Sequence, residues 1–120
     1  MTVRGTLTMA WVTALMCGLV ACGGSPSQPP AAGLDVNVTI ANGRVTPTNA
    51  TLQAKVKQQI TFHVTSDATD ELHVHSVPDH KFQVAAAPNQ TFRFSVDVPG
   101  IVEVELHHLD RTIANIQVQP

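Results

Sequence analysis

Five of the six histidines in this sequence fall in two short segments, and the first segment carries His73 and His75. Successive side chains of a β-strand point to opposite faces, so this spacing places both rings on one face, with Leu72 and Val74 on the other. Two imidazoles on one face can converge on a transition metal when another strand supplies a third ligand. The segment therefore predicts a candidate metal site.

The second segment contains His107 and His108, which are the candidates for that third ligand. Neighbouring residues of a strand face opposite ways, so only one of the two can point into a shared site. We expect three nitrogens, from His73, His75 and one of this pair, with His80 as a candidate fourth ligand. Such a site would favour Cu(II), or less strongly Zn(II), on the Irving–Williams order.

A metal-free interpretation of the first segment is also open. His73 and His75 can be ordinary strand residues whose rings are hydrogen-bonded to Asp70, Glu71 or Glu105. No serine lies in a recognisable nucleophile turn, and a histidine beside an acid is weak support for catalysis without a nucleophile or a pocket. We therefore expect no enzymatic activity.

The N-terminus has the parts of a secretory signal in order. Arg4 is the only charged residue before Cys22, and the apolar run 9–20 follows it. This run is shorter than the about 20 residues that a spanning helix needs. It closes in Leu-Val-Ala-Cys at 19–22, which resembles the lipobox of bacterial lipoproteins. We expect cleavage before Cys22 and acylation of that residue by palmitate-type chains, two of which give stable anchoring.

The sequence thus divides into a signal peptide, 1–21, a tether, 22–33, and one domain, 34–120. The tether is rich in Gly, Ser, Pro and Ala, as flexible linkers are. Cleavage removes Arg4 and leaves six basic against nine acidic residues, a net charge of −3 with neutral histidines. This balance does not favour a nucleic-acid partner. We expect the domain on the outer face of the cytoplasmic membrane, with the membrane as its partner through lipidated Cys22.

Apolar and polar residues alternate along the domain, which is the period of β-strands. The run 34–40 is one example, and a turn signal follows it at Asn42-Gly43. Comparable runs occupy residues 60–65, 72–77, 81–84, 91–97, 101–107 and 112–119. Short strands at this spacing, with no helical pattern among them, predict an all-β fold, either a β-sandwich or a Greek-key barrel.

Most of the domain resembles the cupredoxin-like domain of the EfeO type, which occurs in bacterial iron-uptake lipoproteins and in small actinobacterial lipoproteins. The similarity lies in residues 42–47, 64–67, 70–75 and 99–107, in the order of the family. It implies a Greek-key β-sandwich in which the strand end with His73 and His75 approaches the loop after Leu106 at one pole. It also implies an envelope partner in iron or copper handling.

The chain departs from the cupredoxins that carry electrons. In those proteins the strand after the Pro-Gly pair ends in a cysteine whose thiolate binds copper, and the matching residue here is Leu106. A blue-copper centre needs that thiolate, usually with an axial thioether, and the sequence has neither Cys nor Met after Cys22. Two functions are left: an envelope module that captures or delivers a metal, and a metal-free β-sandwich that docks onto another envelope protein.

Overall fold

The computed structural model describes residues 32–120; the predicted signal peptide, Cys22 and most of the predicted tether lie outside the described residues. The described part contains nine strands: β1 (Leu34–Ala41), β2 (Arg44–Thr46), β3 (Ala50–Lys55), β4 (Ile60–Ser66), β5 (Asp70–His75), β6 (His80–Val84), β7 (Gln90–Phe94), β8 (Gly100–Leu106) and β9 (Arg111–Gln119). The predicted all-β fold is confirmed. Between residues 32 and 120 no helix is long and apolar enough to span a bilayer.

The strands form two sheets, in the orders β2-β1-β4-β7 and β3-β9-β8-β5-β6. Two of the pairings, β1 with β4 and β3 with β9, are parallel. Inward-facing residues of both sheets build one core, in which the rings of Phe62 and Phe94 stack at 5.8 Å between centroids. The alternation seen in the sequence is the physical cause, since most of the strands bury every second side chain along much of their length.

The sandwich has two ends, which we call the entry pole and the far pole. The entry pole consists of the connections 56–59, 76–79 and 95–99, and it is closed by main-chain hydrogen bonds such as Asp97 N to Val77 O at 2.8 Å. The far pole consists of the connections 67–69, 85–89 and 107–110. The two poles are separated by the length of the strands.

β5 has the orientation that the histidine spacing predicted. Leu72 and Val74 are fully buried, whereas His73 is half-buried and His75 is exposed. β5 lies between β6 and β8 and is antiparallel to both. The two histidines are therefore on the outer face of the five-stranded sheet.

Candidate metal site

His73 and His75 lie side by side on this outer face. Their ring centroids are 3.9 Å apart, and the rings are tilted by 41°. The His73 side chain is 17% exposed and that of His75 is 45% exposed, so a dissolved ion can reach both rings. The geometry confirms that this strand presents two imidazoles on one face.

Each ring is hydrogen-bonded to a carboxylate. His73 Nε2 lies 2.8 Å from Asp79 Oδ1, and His75 Nε2 lies 2.8 Å from Glu105 Oε1. The same Glu105 oxygen is 3.9 Å from His73 Nδ1. An ionised carboxylate can only accept, so each Nε2 carries the proton and donates it. Glu105 is one of the three hydrogen-bond partners that the sequence suggested for these rings, whereas Asp79 is not.

Asp79 reaches the site through the β5–β6 hairpin. The register pairs Val74 with His80, so the residue before His80 continues the hairpin opposite His75 and on the outer face. From there its carboxylate reaches diagonally to His73. Asp79 could have been predicted from the sequence, because a short hairpin that pairs His80 with Val74 places the preceding residue opposite His75.

The hydrogen bonds alter the titration of both acids. The hydrogen bond from His73 holds the pKa of Asp79 below its ordinary value, and desolvation acts in the opposite direction. The hydrogen bond from His75 lowers the pKa of Glu105 in the same way, again with desolvation acting in the opposite direction. Both carboxylates are therefore ionised acceptors at neutral pH.

The lowered pKa of Glu105 predicts acid sensitivity. A carboxyl with a lower pKa in the folded state contributes stability above its unfolded pKa of about 4.3, and this contribution is lost as the pH falls through the folded value. We expect the melting temperature of the wild type to fall more between pH 6 and pH 3 than that of Glu105→Gln. Thermal unfolding of both proteins across this range is the measurement. Parallel profiles for the two proteins would contradict the assigned role of Glu105.

Two overlapping sets of side chains on this face could hold an ion. His73, His75 and Asp79 each offer a ligand atom, and these atoms lie within 4.8 Å of one another. The same spacing holds for His75, Glu103 and Glu105. Imidazole nitrogens with carboxylate oxygens suit Cu(II) and Zn(II), and they lack the soft thiolate that Cu(I) prefers.

His107 and His108 are not near this site. The register pairs Leu72 with Leu106, so the loop after Leu106 meets the beginning of β5. His107 Nδ1 lies 3.7 Å from Glu71 Oε1, and residues 71 and 75 are about 13 Å apart along a strand. Antiparallel pairing puts this loop at the beginning of β5 and His75 at its end, so the expected approach is not seen for His75, and neither His107 nor His108 belongs to the group of His73, His75 and Asp79.

His80 is also separated from the two rings. It is paired with Val74 and thus faces inward, where its ring stacks on Phe82 at 6.1 Å between centroids. Its Nε2 lies 3.2 Å from the main-chain oxygen of Ser95. A ligand role beside His73 would need this side chain on the other face of the sheet, so the structure removes it from the candidate set.

The far pole is filled by an apolar pair and a buried acid. Leu72 and Leu106 are cross-strand partners and both are fully buried. Asp70 is 3% exposed, and its carboxylate accepts from the main-chain N–H groups of Glu71, His108 and Leu109 at 2.7, 2.8 and 3.2 Å. This carboxylate fixes the loop between β8 and β9.

Comparison with known proteins identifies the fold. No family model and no curated protein matches the sequence. Among solved structures, an oxidised proline-to-glycine mutant of amicyanin matches with a TM-score of 0.50 at 14% identity, over 85% of this chain and 88% of that one. A reduced tryptophan-to-tyrosine mutant of amicyanin matches with a TM-score of 0.50 at 15% identity, over 73% and 85%. The fold is cupredoxin-like. At this identity the similarity concerns the fold alone.

The residues at the far pole of this cupredoxin-like domain do not fit a copper–thiolate centre. Leu106 stands where the resemblance placed a cysteine, and it is packed against Leu72. The nearby Asp70 carboxylate is already held by main-chain donors. Within residues 32–120, the groups of three side chains that could hold an ion lie on the outer face of β5 instead.

Proposed function

We propose that this chain is a non-enzymatic module of the cell envelope that captures or delivers Cu(II), or Zn(II), through His73, His75 and Asp79. The observation that carries this proposal is the convergence of one ligand atom from each side chain within 4.8 Å. The metal is cargo in this account, since the site is partly exposed and open to exchange. Electron transfer of the blue-copper type is not part of the proposal.

A metal bound at Nε2 of His73 would replace the hydrogen bond to Asp79, and the proton of the neutral ring would move to Nδ1. In the absence of metal, Nε2 of His73 donates to Asp79. A bound ion needs neutral imidazole, so binding releases protons and weakens as the pH falls. Glu105, which is hydrogen-bonded to His75, would orient that ring or join the ligands.

Anchoring is the second element of the proposal. The lipobox-like 19–22 supports lipidation of Cys22, which would hold the domain on the outer face of the cytoplasmic membrane. The partner would then be an envelope protein of metal handling. The alternative function is a metal-free interaction module, in which the carboxylates only hold the two rings.

Isothermal titration of Cu(II) and Zn(II) separates these functions. The titrated protein is the chain from residue 22, with Cys22→Ser so that no thiol competes for copper. We expect one-to-one binding, weakened at least about tenfold in Asp79→Ala because a ligand is lost. His108→Ala is the matched control and should bind as the parent does. Absence of binding by the parent would leave the interaction module as the better account.

A further inference from the structure

All the exposed large hydrophobic residues of the described part of the chain lie at the entry pole. Val77 is 58% exposed, Val98 is 48% exposed and Ile101 is 72% exposed. The three side chains border one shallow groove of about 200 Å³, together with Pro99. Clustered apolar exposure of this kind marks an interaction surface, whereas scattered single residues do not.

The chain enters the domain at this same pole. The main-chain oxygen of Ala32 accepts from Gln58 Nε2 at 2.9 Å, and Leu34 N donates to Gln59 O at 3.0 Å. Gln58 and Gln59 belong to the β3–β4 connection of the entry pole. The predicted lipid attachment at Cys22 is only ten residues before Ala32.

The length of this segment favours one orientation on a membrane. A flexible chain of ten residues has a root-mean-square span of about 18 Å. The seven residues of β8 extend about 23 Å from the entry pole to the far pole. Contact of the far pole with the bilayer would require the tether to run the whole length of the domain. A lipid on Cys22 therefore favours the entry pole, rather than the far pole, next to the bilayer.

We propose that the entry pole rests on the bilayer surface, with Val77, Val98 and Ile101 inserted among anionic phospholipids. The proposal goes beyond metal binding and rests on the proposed lipidation of Cys22. The orientation would leave the far pole directed away from the membrane. The outer face of β5 would stand at the side, with His75 close to the lipid surface.

Cations at this pole suit anionic headgroups. Lys57 and Arg93 border an open cavity of about 450 Å³ beside the same connections, and neither forms a salt bridge within residues 32–120. Four acids also lie at this end: Asp35 and Asp79 are hydrogen-bonded to His63 and His73, Glu103 is opposite His75, and Asp97 forms no salt bridge within the described residues. The exposed apolar side chains carry the contact, and the two cations add attraction to phosphate.

Environment-sensitive probes test the orientation. The mature lipoprotein has no thiol besides Cys22, whose sulfur the lipid consumes, so single variants Val98→Cys and Arg44→Cys can each carry one nitrobenzoxadiazole label. Both positions are exposed, and Arg44 lies at the far-pole end of its hairpin. In vesicles of phosphatidylglycerol and phosphatidylethanolamine, we expect blue-shifted emission and several-fold weaker iodide quenching at position 98 only.

Several outcomes would overturn the proposal. Equal quenching at both positions would show that the entry pole does not contact lipid. A blue shift at position 98 that disappears on dilution into excess vesicles would indicate a second copy of the chain as the occupant. Ile101→Asp in the Val98→Cys protein should reduce the shift; an unchanged shift would also contradict the proposed contact. The mass of the purified protein shows first whether Cys22 is acylated, so failure of anchoring is distinguished from failure of docking.

Discussion

Replacing Asp70 with alanine is expected to lower the free energy of unfolding by about 3 kcal/mol or more. The carboxylate is 3% exposed and accepts hydrogen bonds from three main-chain N–H groups, two of which belong to His108 and Leu109. Its removal leaves buried donors without an acceptor. Total stability of a small domain is about 5–15 kcal/mol, so the loss is a large share of it.

Urea unfolding of Asp70→Ala beside the wild type measures this effect. Asp97→Ala is the matched control, because Asp97 is an exposed acid at the entry pole, and its substitution should change stability by less than about 0.5 kcal/mol. Asp70→Asn keeps one acceptor oxygen and should fall between the two. If Asp70→Ala were as stable as Asp97→Ala, the carboxylate would not be what holds the β8–β9 loop.

The double variant His73→Ala/His75→Ala is expected to lose metal affinity by at least about a hundredfold. Loss of an outer-shell partner alone typically costs ten- to hundredfold, and here two direct ligands are removed. Both rings project from the outer sheet face, where Leu72 and Val74 continue to fill the core. The variant should therefore fold, and calorimetric titration with Cu(II) should show the loss of binding.

His107→Ala/His108→Ala is the control for that experiment, because it also removes two imidazoles. Its rings lie at the far pole, with His107 next to Glu71. We expect unchanged affinity. Equal losses in the two double variants would mean that both segments contribute to one site, in conflict with the register of β5 and β8.

The sequence predicted the strands that alternate clearly and missed two that do not. β2 has three residues, which is too short for a period to appear. Ala54 is the only buried residue of β3, so the strand shows no clear alternation. β3 pairs with β9, which is distant in the sequence. A parallel pairing of this kind is decided by the whole fold, so local patterning could not predict it.

A bulge explains another departure from alternation. Ile113 and Ala114 are neighbours in β9 and both are buried. The register with β8 shifts between Val104 and Glu105, so β9 carries one extra residue there. Such a residue changes which face the following side chains occupy, and alternation in the sequence alone does not reveal it.

The candidate site was predictable in part. Spacing within one strand correctly put His73 and His75 on one face, because that depends only on the period of two. The other ligands depend on hairpin registers. Pairing of His80 with Val74 turns His80 inward and leaves Asp79 outward, and neither result follows from composition. Asp70, considered from sequence as a partner of the rings, holds the β8–β9 loop instead.

The most direct test of the central claim is a Zn(II) titration followed in the ¹H–¹⁵N spectrum of the labelled chain with Cys22→Ser. Zn(II) is used because it is diamagnetic and suits nitrogen and oxygen ligands. We expect chemical-shift changes that saturate at one equivalent of Zn(II) and that are centred on His73, His75 and Asp79 and extend to Glu105. Changes centred on residues 107–110, or an unchanged spectrum in excess Zn(II), would contradict a zinc-binding site on the outer face of β5.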